Sequence, residues 1–251
     1  MRFQVIVLRI LVASVLVVAG ACASRGGAID QMTIDELMEL GREQYTSGRY
    51  ADAVRTLERL TLAFGYSRMD EARYYLADSY FRRREYLSAA TEFTRLASES
   101  PNSPYAVEAR YKVCEAYYHL SPRPELDQTY THAAIDSCDA LVLYYPDSEF
   151  ADRAREMSQE LVDKLARKLY LTAENYFRNR FFDSAIIYYE DVVETYPQSE
   201  IAPQALLRMV QAYLEIGYPE DAEATRERLL REYPGSAEAG HAREISIAGG
   251  T

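Results

Sequence analysis

A chain of 251 residues, 48% hydrophobic and 27% charged, can bury a core as one elongated or two compact domains, which excludes a disordered polymer. Its 11 Gly and 9 Pro are few for the tight turns of an all-β fold, and the dominance of Ala, Leu, Glu, Arg and Tyr favours helix. The formal charge is −11, or −13 once Arg2 and Arg9 leave with a cleaved leader, so no nucleic-acid partner is expected: phosphate contacts need clustered Lys and Arg, and the one short run, Arg82-Arg83-Arg84, reads as a solvated helix end.

The N-terminus, MRFQVIVLRILVASVLVVAGAC, places Arg2 and Arg9 before an apolar stretch at 10–18 and then Ala19-Gly20-Ala21 ahead of Cys22. The apolar run is shorter than the ~20 residues of a membrane-spanning helix and reads as a secretory signal. A first cysteine directly after AGA has the layout of a bacterial lipoprotein signal, so residues 1–21 are expected to be removed and Cys22 to carry the acyl chains. Ala19 departs from the usual leucine three residues before the cysteine. Ala23, where an aspartate would retain the chain in the inner membrane, favours the periplasmic face of the outer membrane. Residues 22–32 read as a flexible tether.

From residue 33 the chain is periodic. YYPDSEFADRA at 144–154 returns as TYPQSEIAPQA at 195–205 and EYPGSAEAGHA at 232–242, with a looser copy, ESPNSPYAVEA, at 99–109. Taking Ser67 as the first mark, the serines fall at 67, 103, 148, 199 and 236. Two of the four spacings approach the ~34-residue period of tetratricopeptide helix-turn-helix repeats, and the longer ones contain insertions. SPRPELDQT at 121–129 lengthens the turn inside the third unit, and 149–178 lacks Gly and Pro, so it forms one long helix or two abutting ones.

Within each unit small and large residues fall at helix-packing offsets: Gly41, Gly48, Tyr50, Ala53 and Leu57 in the first, Ala77, Tyr80, Ala89, Phe93, Leu96 and Pro101 in the second, Tyr213, Gly217, Ala222, Leu229 and Pro234 in the fifth. Proline ends the second helix, and the following serine or acid is placed to cap the next one. The expected fold is all-α, about five helical hairpins stacked into a superhelix.

No catalytic signature is present: three histidines, and no HExxH, GxSxG, P-loop or GxGxxG. Cys114 with His119 and His132 with Cys138 are spaced five and six residues apart, turning the side chains by ~140° and ~240° on a helix, so neither pair shares a face for a metal. No enzyme, metal or cofactor is expected. What stacked repeats offer is a groove lined by their first helices. The outward offsets there are Met38, Arg42 and Tyr45, then Tyr74, Asp78 and Phe81, then Tyr111, Glu115 and Tyr118. An aromatic surface with sparse charges suits an extended or helical peptide with apolar anchors, although any one of these rings can instead wedge between repeats. Aligning EARYKVCEAY with EARYYLADSY sets Cys114 at the small-residue site of a first helix and Cys138 on the inward face of its partner, near enough to bridge or to stay as buried thiols.

The signal and Cys22, LGREQYTSGRYADAVRTLERL, the insertion ending in DQT before Tyr130, and LTAENYFRNRFFDSAIIYYEDVVETYP together resemble the BamD-like tetratricopeptide lipoproteins of the outer-membrane β-barrel assembly machinery, over residues 22 to about 233. The resemblance implies a non-catalytic periplasmic subunit. Its N-terminal repeats, 33–148, would receive unfolded barrel proteins, and its long helix and last repeats, 149–236, would dock on a BamA-like barrel-forming partner, leaving a tail at 237–251. In some members the docking helix of the fourth unit carries an arginine where Tyr189 stands here. The competing expectation is a tetratricopeptide scaffold lipoprotein of cell-wall or Tol-Pal type envelope processes, which also use YP-x-S repeats.

Overall fold

The computed structural model describes residues 31–63 and 65–247, so the leader and Cys22 lie outside the described residues. Among these there are eleven α-helices and no strand. Helix α1 (Ile34–Thr46) packs on α2 (Tyr50–Thr61), and α3 (Met69–Arg82) on α4 (Tyr86–Glu99). The insertion at 121–128 separates α5 (Ala106–Leu120) from α6 (Thr129–Tyr144). The run without Gly or Pro is one helix, α7 (Ala151–Arg178), which packs on α6 and α8 (Phe182–Thr195); α9 (Ala202–Glu215), α10 (Pro219–Glu232) and α11 (Ala237–Glu244) follow. Two compact units divide between Ala116 and Tyr117, inside α5, upstream of the 148/149 division read from the sequence.

The repeated phrase has one geometry at each of its four proline joints. Ser100, Tyr145, Tyr196 and Tyr233, each preceding a proline, hold φ between −136° and −128° and ψ between 53° and 61°. Proline excludes its predecessor from the α region, so the helix stops there. Each of these four still donates its N–H to the carbonyl four residues back, on Leu96, Leu141, Val192 and Leu229. Ser103, Ser148, Ser199 and Ser236 then donate N–H to the carbonyl of the pre-proline residue at 3.0–3.1 Å, closing a turn with proline in its second position. The capping expected of the serines holds for Ser236, whose Oγ accepts from Ala239 N. Ser103 and Ser199 stand three residues ahead of their helices, and each hydroxyl accepts from the N–H two residues on. The Ser148 hydroxyl is buried without a hydrogen-bond partner.

Turns inside the hairpins repeat as well. Gly48, Arg84, Arg180 and Gly217 have φ of 75°, 63°, 63° and 80°. The residue after each donates N–H back to Gln44, Tyr80, Tyr176 or Tyr213 at 2.8–3.0 Å, the bond of a Schellman helix end. The basic run 82–84 therefore ends α3, as read from the sequence, and its third arginine occupies a position suited to glycine.

The first unit has two cores, one around Leu37, Met38, Leu57, Leu60 and Leu76, the other around Phe93, Leu96 and Ala109. In the second unit Tyr189, Val192, Ile201, Leu206, Met209 and Leu229 form one core. Gly41 sets the closeness of α1 and α2, since a Cβ there would lie 2.5 Å from Leu57 Cδ2.

Candidate functional site

The proposed groove residues divide by burial. Met38 is fully buried in the first core and Asp78 is 1% exposed, so neither lines an open surface. This corrects both assignments. Met38 completes the apolar stripe of α1 with Leu37, and Asp78 is covered because two donors converge on it: the Tyr45 hydroxyl at 2.8 Å and Arg82 Nε at 3.1 Å. Arg42 stays on the surface and pairs with Glu39.

The partly buried rings form a continuous ladder in the first unit. Tyr45 packs against Tyr75 with centroids 4.9 Å apart, Tyr75 meets Tyr74 at 5.9 Å, and Tyr74 stacks on Tyr105 at 4.7 Å. The Tyr74 hydroxyl donates to Glu108 Oε1 at 2.7 Å. Burial and the neighbouring carboxylates push the Tyr45 and Tyr74 hydroxyls above the ordinary tyrosine range, which keeps them neutral donors. Phe81 lies edge-on to Tyr86, and Lys112 Nζ stands 4.7 Å over its ring. The same lysine is 5.9 Å from the Tyr111 centroid and donates to Glu115 at 2.7 Å. In the second unit the Tyr118 hydroxyl donates to Glu160. Sequence offsets missed Tyr75 and Tyr105. The doubled tyrosine in EARYY and the aromatic after Ser-Pro were the available signals.

Cys114 and Cys138 are fully buried and both are disulfide-bonded. Tyr189 is fully buried too. Its hydroxyl donates to Glu174, which also accepts from Arg208 Nε at 2.8 Å, while the Arg208 guanidinium lies 4.8 Å over the Phe177 ring. The position that carries arginine in some BamD-like chains is thus a core position here. No group of three or more His, Cys, Asp or Glu among the described residues could hold a metal ion, and no described helix is long and apolar enough to cross a membrane.

A ladder of partly buried rings with a few hydrogen-bonding groups has the make-up of a binding surface. Residues 30–229 match the family YfiO, described as outer membrane lipoprotein. The chain belongs to the YfiO family. Its similar relatives include "Outer membrane protein assembly factor BamD" of Caulobacter vibrioides, 26% identical over 90% of this chain and 76% of that protein. Another carries the same description in Neisseria meningitidis serogroup A, 25% identical over 93% of this chain and 94% of that protein. Among solved structures, the TPR2AB domain of yeast Sti1 in complex with pHSP90 aligns with a TM-score of 0.43 and 12% identity, over 84% of this chain and 81% of that one. The YfiO match includes every groove residue named above, both disulfide-bonded cysteines and Tyr189.

Proposed function

We propose that this chain is a non-catalytic, lipid-anchored subunit on the periplasmic face of the outer membrane that assists β-barrel assembly. The observation that carries this reading is the YfiO match over residues 30–229, joined to relatives named as outer membrane protein assembly factors. Acylation at Cys22 supplies the anchor. Repeats at 33–148 receive segments of unfolded barrel proteins along the tyrosine ladder, and 149–236 dock on a BamA-like barrel-forming partner. Because Tyr189 is internal, docking uses other side chains of that half. A disulfide between Cys114 and Cys138 fits an oxidising periplasm. No cofactor, metal or nucleic acid enters this reading.

Purification from detergent-solubilised envelopes tests it. Recovery of a large β-barrel protein with polypeptide-transport-type domains is expected, and recovery of peptidoglycan or Tol-Pal factors in its place would establish the scaffold alternative. Mass spectrometry of the mature N-terminus should show acylated Cys22. An unmodified N-terminal peptide ends the anchoring proposal.

A further inference from the structure

Helix α6 carries apolar residues on the side turned away from its core. Thr131, Ala134, Cys138 and Leu141 are buried, as a second repeat helix requires, yet Leu143 and Tyr144 are 72% and 71% exposed, the highest values for large hydrophobics among the described residues. Tyr130, 36% exposed, starts the same helix and stacks on Tyr117 with centroids 6.2 Å apart. At ~100° per residue Tyr130, Ala133, Ala140 and Tyr144 fall within about 80° of one another, along about 21 Å of helix. Ser137 falls on the same strip and turns its hydroxyl back to the Ala133 carbonyl, so large residues stand at both ends with small ones between them, a relief that lets another helix approach to the short end of the ~8–10 Å interaxial range.

The insertion that precedes this helix is held in place. Lys164 of α7 donates to Ser121 Oγ and, at 2.8 Å, to the Pro122 carbonyl, and Lys168 reaches the Leu126 carbonyl at 3.2 Å. The buried Gln128 side chain donates to the Arg123 and Leu126 carbonyls, both at 2.9 Å, and accepts from Thr131. This fixed loop leaves Leu126 52% exposed. An apolar side chain presented to solvent from a pinned backbone is preorganised for contact.

Charge selects the occupant. Between 121 and 149 the exposed acids Glu125, Asp127, Asp136, Asp139, Asp147 and Glu149 outnumber the one exposed arginine, Arg123, and none of the six forms an ion pair among the described residues. Asp127 and Asp139 accept only from Thr129 N and Ser158 Oγ. A second copy meeting α6 antiparallel would set Asp136 against Asp136, and the chain's net charge of −11 adds to that repulsion. We infer that the outward face of α6, with the pinned loop beside it, docks a cationic amphipathic helix of a partner protein, of at least about 14 residues. The surface uses none of the residues of the tyrosine ladder, and its failure leaves the assembly role untouched.

The probe is a fluorescein-labelled 18-residue synthetic helix of Ala, Leu and Lys with one apolar stripe, beside a twin with Glu for Lys, read by anisotropy on the mature chain in detergent. The Lys helix should bind at least about tenfold more tightly than its twin. Leu143→Asp and Ala140→Trp, both at exposed positions, should each weaken it by about tenfold or more, while Ile187→Asp on α8 changes nothing. Asp136→Asn with Asp147→Asn should lower affinity several-fold and flatten its salt dependence. The inference is overturned if the Lys helix does not bind, or binds with no effect of Leu143→Asp and Ala140→Trp. It is equally overturned if sedimentation shows a wild-type dimer that Leu143→Asp dissociates, which would make a second copy the occupant.

Discussion

The Tyr74 hydroxyl lies 2.7 Å from Glu108 Oε1, joining α3 to α5 one repeat further along, and Tyr45 makes the same kind of tie to Asp78, joining α1 to α3. Both rings were placed in the groove by their sequence offsets, and both use the hydroxyl to fasten successive repeats while the ring stays partly exposed. Hydroxyl and ring can therefore be tested apart. Tyr74→Phe removes the tie and should cost about 1–3 kcal/mol in urea unfolding, with the affinity for a barrel-derived C-terminal peptide unchanged within about twofold. Tyr74→Ala combined with Tyr111→Ala removes two rings and should weaken that peptide more than tenfold, with helicity by circular dichroism retained. A folded double variant that binds normally would move the peptide site off this ladder.

Gly41 and Leu57 make the tightest approach between α1 and α2. A methyl group at residue 41 would meet Leu57 Cδ2 at 2.5 Å and Cγ at 2.7 Å. Gly41→Ala should lower stability by about 1–3 kcal/mol in spite of alanine's better helix propensity. Leu57→Val in the same chain should return part of that loss. If Gly41→Ala alone raises the thermal midpoint, the helices have room that this packing denies.

Arg84 sits at φ 63° in the turn where the first and fifth hairpins have glycine. A left-handed conformation costs a non-glycine residue about 1–2 kcal/mol, partly offset by the extra unfolded-state freedom of glycine at about 0.5–1 kcal/mol. Arg84→Gly should therefore stabilise the chain by up to about 1 kcal/mol and raise its thermal midpoint. The gain should be smaller for Arg180→Gly, which also gives up the contact with Glu215 at 3.8 Å and the Phe182 ring at 5.8 Å. Gly48→Ala, at φ 75° with nothing near its Cβ, should destabilise by about 1 kcal/mol on conformational grounds alone. Lower stability of Arg84→Gly would show that the arginine's own contacts outweigh the turn.

These cases mark what local sequence carries. The Pro-x-Ser joints were legible because proline acts on its immediate neighbours, and the resulting turn is the same at Ser103, Ser148, Ser199 and Ser236. The left-handed arginines were not, since a glycine position is recognised by its glycine, and here hairpin closure imposes the conformation on Arg84 and Arg180. Asp78 was misplaced for a related reason. A carboxylate at an outward offset reads as solvated until Tyr45, 33 residues away, is seen to cover it. The clamp on the insertion depends on Lys164 and Lys168, more than 40 residues from the carbonyls they hold, and nothing in SPRPELDQT announces it.

Cys114 and Cys138 offer the last test, because their state reports on compartment as well as on fold. Both are buried, and both are disulfide-bonded. If they are bonded to each other, the closed loop is short, and the chain-entropy model assigns the bond about 3 kcal/mol. Thiol labelling of the denatured, unreduced mature protein should then find no free thiol, given that acylation consumes the Cys22 sulfur. Reduction should expose two equivalents and lower the urea midpoint. Cys114→Ala with Cys138→Ala should reproduce that lower midpoint and make it insensitive to reductant, because the crosslink rather than the thiols supplies the stability. Two reactive equivalents before reduction would show two buried thiols, which pack as ordinary small apolar side chains and need no oxidising compartment.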